Sequence, residues 1–280
     1  MSGAVLPRAR RRIWFLPVNL ATTLLGLMLV VAAIGPWITP RDPIEQHMTH
    51  RLALPSLEFW LGTDQLGRDL FSRLLLGVRI SVVVGFGSAF LSLVIGTAGG
   101  LLAAFRGGII DALIMRASDV LLAFPSVLLA MVVATVLKTG LLGVILAATL
   151  VSIPSFVRLA YATMLVERGK TYVEAAITFG GSTAYIISRS VLPNVVGPLA
   201  VQTAFTVASA IVLEAGLSFL GLGVQPPTPS LGLVFQEARG YLRVDPWFGI
   251  CPGAVLIVMV LVLNAVADAL QRRMDPRTRR

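Results

Sequence analysis

Few residues in this sequence have the type and spacing to do chemistry. Gly169-Lys170-Thr171 has the ending of a phosphate-binding loop, in which backbone N–H groups cradle phosphate and the lysine neutralises it. The full pattern needs a first glycine at position 164, which is Met164. Nucleotide binding by this segment is therefore not expected. His47 and His50 form an H-x-x-H pair, but no cysteine or clear third ligand stands near them, so no metal site is expected. No Ser/His/Asp, Cys/His or paired-acid constellation stands out, and catalysis within the chain is not expected. The single cysteine, Cys251, rules out an intrachain disulfide. What remains is a set of isolated polar groups: Glu214, the segment Asp64, Arg68, Asp69 and Arg73, and the loop that begins at Gly169.

The elements that carry these groups follow from composition. The 280 residues are 56% hydrophobic and only 13% charged, where a soluble domain carries about 25%. Such a chain cannot build a polar surface, and its mean hydropathy of +0.85 favours the membrane class. Six uncharged runs are long enough to cross a bilayer: 13–40, 80–105, 120–137, 139–157, 190–213 and 246–267. A span needs about 20 apolar residues for roughly 30 Å of hydrocarbon. Lys138-Thr139-Gly140 is read as a tight turn between the third and fourth runs, with the lysine reaching for the headgroups. The first run follows a basic flank but exceeds a signal-peptide core in length, so it is expected to stay as a signal-anchor helix. A seventh run, 215–236, contains Pro226, Pro227, Pro229 and four glycines. A lipid-facing helix cannot leave its backbone unpaired in this way. The run is either an irregular or re-entrant segment covered by protein or an external loop with some apolar side chains.

The formal charge of +9 is an orientation signal rather than a nucleic-acid footprint, because no soluble domain exists to carry a basic face. Arg8, Arg10, Arg11 and Arg12 precede the first run, and Arg272, Arg273, Arg277, Arg279 and Arg280 follow the last. The positive-inside rule puts both termini in the cytoplasm. The loop with Arg106 and Arg116 and the loop with Arg158, Arg168, Lys170 and Arg189 fall on the same side. The long loops near 41–79 and 218–245 fall outside. The resulting division is an N-terminal tail, first helix and external loop over 1–79, a five-helix core over 80–270, and a basic tail over 271–280.

The segment 166–192 is then a cytoplasmic loop between two spans. Thr171 and Glu174 have the T-x-x-E spacing of a capping box, which starts a helix at Tyr172. Gly180 is suited to the position just past its end. Tyr172, Val173, Ala176, Ile177 and Phe179 make an apolar face. Ser182 can cap a second helix, which Pro193 should end near Leu192. The pattern fits a docking knob or an ordinary surface loop.

A resemblance separates these readings. Glu174-Ala175-Ala176, Gly180 and Leu192-Pro193 match the EAA…G…LP cytoplasmic loop of ABC importer permeases. "FWLGTDQLGRDLFSRLLLGVRIS" (59–81), "LEAGLSFLGLGVQPPTPSLG" (213–232) and "NAVADALQRRMDPR" (264–277) resemble the second permease subunit of dipeptide, oligopeptide and nickel importers. One departure is Arg189-Ser190, where a basic-histidine pair is common. The resemblance covers nearly the whole chain. It implies an all-α integral membrane fold of six transmembrane helices, the type I ABC importer permease fold, in the bacterial inner membrane. The implied function is half of a translocation pore, for di- or oligopeptides, driven by ATP. Tyr172, Glu174, Ala175, Ala176, Gly180, Leu192 and Pro193 would couple to cytoplasmic ATPase subunits, which bind ATP and Mg themselves. The other implied partners are a homologous permease subunit, an extracytoplasmic substrate-binding protein and the lipid bilayer, with no nucleic acid. The six runs carry no ionisable residue at their centres, which counts against a self-sufficient transporter driven by an ion gradient.

The isolated polar groups acquire roles within that frame. Asp64, Arg68, Asp69 and Arg73, with Asp69 and Arg73 at i,i+4 spacing, are either a platform contacting the receptor or a salt-bridged amphipathic helix lying at the interface. Glu214, at the outer end of the fifth run, either lines the substrate path or is hydrated at the membrane surface. Arg158 is read as reaching for the headgroups, and Asp119 and Asp268 as boundary charges.

Overall fold

The computed structural model describes residues 18–137 and 140–274. The basic N-terminus, Arg277, Arg279, Arg280, and the Lys138-Thr139 part of the expected turn lie outside the described residues. Among those described, the chain is all helical: α1 Val18–Ile38, α2 Leu70–Arg106, α3 Gly108–Ala123, α4 Ser126–Val136, α5 Leu141–Arg168, α6 Thr171–Thr178, α7 Thr183–Tyr185, α8 Leu192–Phe219, α9 Leu231–Ala238 and α10 Pro246–Met274. A single π-helical segment, Ile186–Val191, joins α7 to α8. Five helical stretches are long and apolar enough to cross a membrane, and the bent pair α3–α4 makes a sixth if it is counted as one broken span.

The helix α2 is the axis of the bundle. Its 37 residues extend about 55 Å at 1.5 Å per residue, well beyond a hydrocarbon core of roughly 30 Å. It starts ten residues before the expected span and runs unbroken through position 80. Asp69 caps it, accepting from the Ser72 N–H at 2.9 Å and the Ser72 hydroxyl at 2.6 Å. The charge that bounded the expected run, Arg79, sits exposed on the helix, and Arg73, expected in the outside segment, is buried and paired within the protein. In lipid there is little hydrophobic drive between helices, so close packing through small residues brings them together. Gly96 and Gly100 supply it. A Cβ on Gly100 would lie 2.3 Å from the Val157 carbonyl oxygen, and one on Gly96 would lie 2.6 Å from Phe156 Cβ. The α2–α5 contact continues into a core of Leu101, Ala104, Phe156, Ala160 and Met164.

Proline sets two departures from the expected spans. The run 120–137 is not one helix, because Phe124-Pro125 breaks it into α3 and α4 at a bend of 99°. Pro125 lacks the N–H that a continuing helix needs, and it pushes Phe124 to extended backbone (φ −89°, ψ 137°). Pro193 does the reverse. It was expected to end a helix near Leu192, yet the chain stays helical from Thr183 to Phe219. The π segment makes this feasible: the Leu192 N–H donates to the Ile187 carbonyl, five residues back. Pro193 then falls in the first turn of α8, where a missing N–H costs nothing.

The proline- and glycine-rich run 215–236 is covered by protein only in part: Gly223, Val224, Pro229 and Ser230 are buried, while Gln225, Pro226, Pro227 and Thr228 are exposed. The helix α8 continues through its start to Phe219. There the Leu222 N–H reaches the Leu217 carbonyl at 2.8 Å and Gly221 turns left-handed at φ +80°. After the irregular residues 221–230, Ser230 caps α9 through the Leu233 N–H at 3.2 Å. Leu231, Val234 and Ala238 of α9 are fully buried against α8 and α10. The backbone of α9 is thus held inside the bundle, and the exposed residues 225–228 form a turn at its edge.

The tight α2–α5 contact is testable. Gly100→Val overpacks against backbone and should cost about 1–3 kcal/mol, seen as a lower thermal unfolding midpoint of the detergent-purified protein. Gly99→Ala, whose added Cβ meets nothing nearer than 3.8 Å, should leave the midpoint unchanged or raise it.

Candidate functional site

Three places collect polar or exposed functional side chains: the α6 hairpin, a polar cleft along α8, and the buried charges before α2.

The α6 hairpin is fastened from one side and bare on the other. Val173 is fully buried in the α2–α5 core. At the end of α5, Glu167 accepts from Lys170 Nζ at 2.5 Å and from the Tyr172 hydroxyl. Asn194 Nδ2 donates to the Tyr172 hydroxyl at 3.0 Å. This polar chain joins α5, α6 and the start of α8. Desolvation, then the Glu167 carboxylate, pushes the Tyr172 hydroxyl above its ordinary value of 10.0, so it remains a donor at neutral pH. Glu167 and Asn194 were not legible as site residues. The one signal was Lys170 three positions after Glu167.

The expected capping box does not form. Lys170 occupies the N-cap position without a side-chain bond, and Thr171 is already helical. The Lys170 N–H closes a turn onto the Glu167 carbonyl at 3.1 Å, which starts the helix one residue earlier. The far end is as expected. Gly180, at φ +77°, donates to the Ile177 carbonyl at 2.9 Å, and Gly181 donates to the Ala176 carbonyl at 3.0 Å. This pair of bonds is the Schellman closure. Ser182 caps α7 through the Tyr185 N–H at 3.3 Å. The apolar face divides between Val173, which points into the core, and Phe179, which is 90% exposed, with Ile177 and Tyr172 also exposed beside Glu174 and Ala175. Ala176 and Leu192 are half-buried and Pro193 is exposed. A buried phenylalanine gains roughly 1.5–3 kcal/mol, so an exposed one on a rigid hairpin favours a covering partner.

The cleft, of about 750 Å³, lies between the α3–α4 bend, α5, α8 and α10. Its polar lining is neutral: Ser126, Ser152, Ser155, Gln202, Thr206, Ser209 and Asn264. One helical turn past this lining, Arg158 Nη2 meets Asp119 Oδ1 at 2.7 Å, both side chains more than half exposed. Arg158, expected at the headgroups, thus has a partner on α3. Exposed pairs of this kind contribute about 0–1 kcal/mol. Nearer the α3 start, the Tyr161 hydroxyl donates to Asp111 at 3.1 Å. Glu214 is absent from the cleft. It is fully buried on the opposite side of α8, accepting from Ser81 of α2 at 3.0 Å and Ser218 at 2.8 Å. Its neighbours are packing residues, so the geometry gives it a role in holding α8 to α2 rather than in lining a path or meeting water.

Asp64, Arg68, Asp69 and Arg73 are also buried, which corrects both expectations for them. A receptor cannot touch them within the chain, and they do not form an interfacial amphipathic helix. Arg68 Nε holds Asp64 at 2.6 Å and its Nη2 holds Glu237 of α9 at 3.1 Å. Arg73 Nη1 bonds the same Asp64 oxygen and Glu237 at 2.7 Å. Asp69 is the α2 cap and makes no pair with Arg73. The rings of His47 and His50 lie against Phe59, with centroids 6.2 and 5.5 Å away.

Comparison with known proteins agrees with this geometry. The family model described as binding-protein-dependent transport system inner membrane component matches residues 95–280. A dipeptide transport system permease protein of Haemophilus influenzae is 38% identical, over 94% of this chain and 93% of its own. A di/tripeptide transport system permease protein of Pseudomonas aeruginosa is 41% identical, over 91% and 86%. Among solved structures, an inward-facing methionine ABC transporter superposes with a TM-score of 0.59 at 20% identity, over 71% of this chain and 95% of that one. That likeness speaks for the fold.

The charge cluster yields a prediction. Asp64→Asn leaves Arg68 and Arg73 sharing Glu237 alone. Stranding buried charge costs about 3–5 kcal/mol, so the thermal midpoint in detergent should fall steeply. Glu58→Gln, which breaks the exposed pair with Arg41, should change stability by under about 1 kcal/mol.

Proposed function

We propose a function from a fixed premise: the chain belongs to the inner-membrane component family of binding-protein-dependent transport systems. It is a multi-pass membrane subunit, and it acts as one permease half of an ATP-driven importer for di- or oligopeptides. A homologous permease completes the pore, an extracytoplasmic binding protein delivers the substrate, and cytoplasmic ABC ATPase subunits drive the cycle. ATP and its Mg belong to those subunits. The incomplete phosphate-loop pattern at Gly169-Lys170-Thr171 agrees with that division. The dipeptide substrate class rests on the relatives' names.

The observation that carries the reading is the α6 hairpin. It is fixed to α5 and α8 by Val173 and the Glu167–Tyr172–Asn194 chain, and it presents Phe179 and Ile177 outward. A rigid lever with an apolar tip suits a cleft on an ATPase subunit. Closure of the ATPase dimer would pull α6, and the spans would follow. The neutral cleft along α8 is the side facing the path. The Lys/Arg distribution supports placing α6 and both termini in the cytoplasm.

Two experiments test this. Gly180→Val puts a β-branched side chain at φ +77°, a strain of about 1–3 kcal/mol. Nothing lies within 4 Å of the added Cβ, so the effect is conformational rather than a clash. Insertion should stay normal, while ATPase co-purification and peptide uptake both fall. Gly180→Asn, which tolerates the left-handed region, should retain most of both. Unchanged association and uptake in the valine variant would remove α6 as the coupling element. Orientation is read with single cysteines in a Cys251→Ala background and an impermeant thiol reagent on intact cells. Position 50 should label and position 170 should not. Labelling of 170 from outside would reverse the orientation.

A further inference from the structure

The pair Asp119–Arg158 closes one end of the neutral cleft. Asp119 precedes the lining residue Leu122 by three positions on α3, and Arg158 follows the lining residue Ser155 by three on α5. Residues three apart share a helix face, so both charges stand one turn beyond the lining and meet there at 2.7 Å. The cleft lining itself carries no charged side chain. Asp119 and Arg158, with Asp268 four positions after the lining residue Asn264 on α10, are the charges one turn beyond the lining.

We propose that this pair is the receiving site for the two charged ends of a small zwitterion that carries a peptide bond. Arg158 takes the carboxylate, Asp119 takes the ammonium, and the amides of Gln202 and Asn264 take the peptide group between them. The inference rests on the peptide-importer reading and deepens it.

Three observations carry it. The pair is more than half exposed on both sides (54% and 58%), so it is weakly held and can exchange partners. A guanidinium matches a carboxylate with two parallel hydrogen bonds, a better fit than the single bond it makes to Asp119. A zwitterion replaces one ion pair by two and strands neither Asp119 nor Arg158, whereas a substrate with one charged end leaves one of them without its partner. The pair is also not the sole tie between its helices, because Tyr161 and Asp111 already link α5 to α3. The neutral lining imposes no charge preference on the substrate's side chains, so selection at this point acts on the ends.

The test uses the purified complex of both permeases and the ATPases without the binding protein, whose own selectivity is thereby removed. Binding of radiolabelled dialanine is competed by dialanine, N-acetyl-dialanine and dialanine amide. Dialanine should compete roughly tenfold better than either blocked form. Arg158→Gln should abolish discrimination against the amide and retain discrimination against the acetylated form; Asp119→Asn should do the opposite. A purely structural pair would lower all three competitors equally in both variants, and that result overturns the proposal. Equal competition in the wild type, or no binding, overturns it as well. Binding-protein-dependent uptake of dialanine by the wild-type complex in proteoliposomes is measured in parallel. Uptake without discrimination defeats only this inference, and absence of uptake for every dipeptide tried defeats the importer reading beneath it.

Discussion

Two arginines and two carboxylates buried at the start of α2 hold together parts of the chain that nothing local would join. Asp64 comes from the segment before α2, Arg68 and Arg73 from either side of the helix start, and Glu237 from α9, 164 positions beyond Arg73. The charges balance, and each carboxylate accepts from both guanidinium groups. Ion pairs in such surroundings are costly to desolvate and costlier still to break. The cluster is therefore weak as a source of net stability and strong as a constraint on arrangement. With Glu237 held at α2, α9 lies against α8, close enough that a Cβ on Gly232 would meet the Ala215 carbonyl oxygen at 2.3 Å. Burial of α9 in turn covers Gly223, Val224, Pro229 and Ser230 of the irregular segment and closes the chamber in which Glu214 meets Ser81 and Ser218.

That dependence explains which features were legible in the sequence. The long helices were, because a run of about 20 apolar residues has few other fates in a bilayer. The glycine stop at Gly180 was, because left-handed backbone is decided within a few residues. Most of the errors have one of two causes: the deciding partner was distant or the deciding residue was silent in hydropathy. Arg73 looked like part of an outside segment because neutralisation by Glu237 cannot be read from neighbours. Pro125 is as uncharged as the residues around it, so the break between α3 and α4 was hidden in an apolar run. The Thr171–Glu174 spacing promised a cap, yet the tail of α5 supplies the turn through Glu167 and Lys170 before Thr171 can act. Glu214 was found as an unusual residue and given the wrong surroundings, because which side of α8 faces α2 depends on packing.

The same helix then separates structure from function by face. Along α8, Val207, Ile211, Glu214 and Ser218 point into packed protein, while Gln202, Ser209, Leu213 and Gly216 face the cleft. The buried face is small and tightly matched, with Ile211 against Gly85, where an added Cβ would lie 2.9 Å from the isoleucine Cγ1. A face packed to that tolerance turns only as a body with α2. The cleft face has no such constraint and can carry neutral polar groups without stranding them, since water reaches them.

The π segment bears on how those two faces could move. Helical structure runs unbroken from Thr183, next to the α6 hairpin, to Phe219, beyond the cleft. A plain α-helix through Pro193 would place the proline ring against the carbonyl four residues back and kink there. The wider turn at Ile186–Val191 removes that clash and leaves one extra residue in the ladder. A displacement at α6 would reach the base of α8 through Asn194, which bonds the Tyr172 hydroxyl at 3.0 Å and the Ser190 carbonyl at 2.9 Å. The same displacement reaches α5 through Glu167. Two of the helices that flank the cleft, α5 and α8, are thus tied to one short hairpin. The π turn is the place along α8 where the hydrogen-bond ladder is already irregular, so it can absorb a change of angle at the least cost in broken bonds.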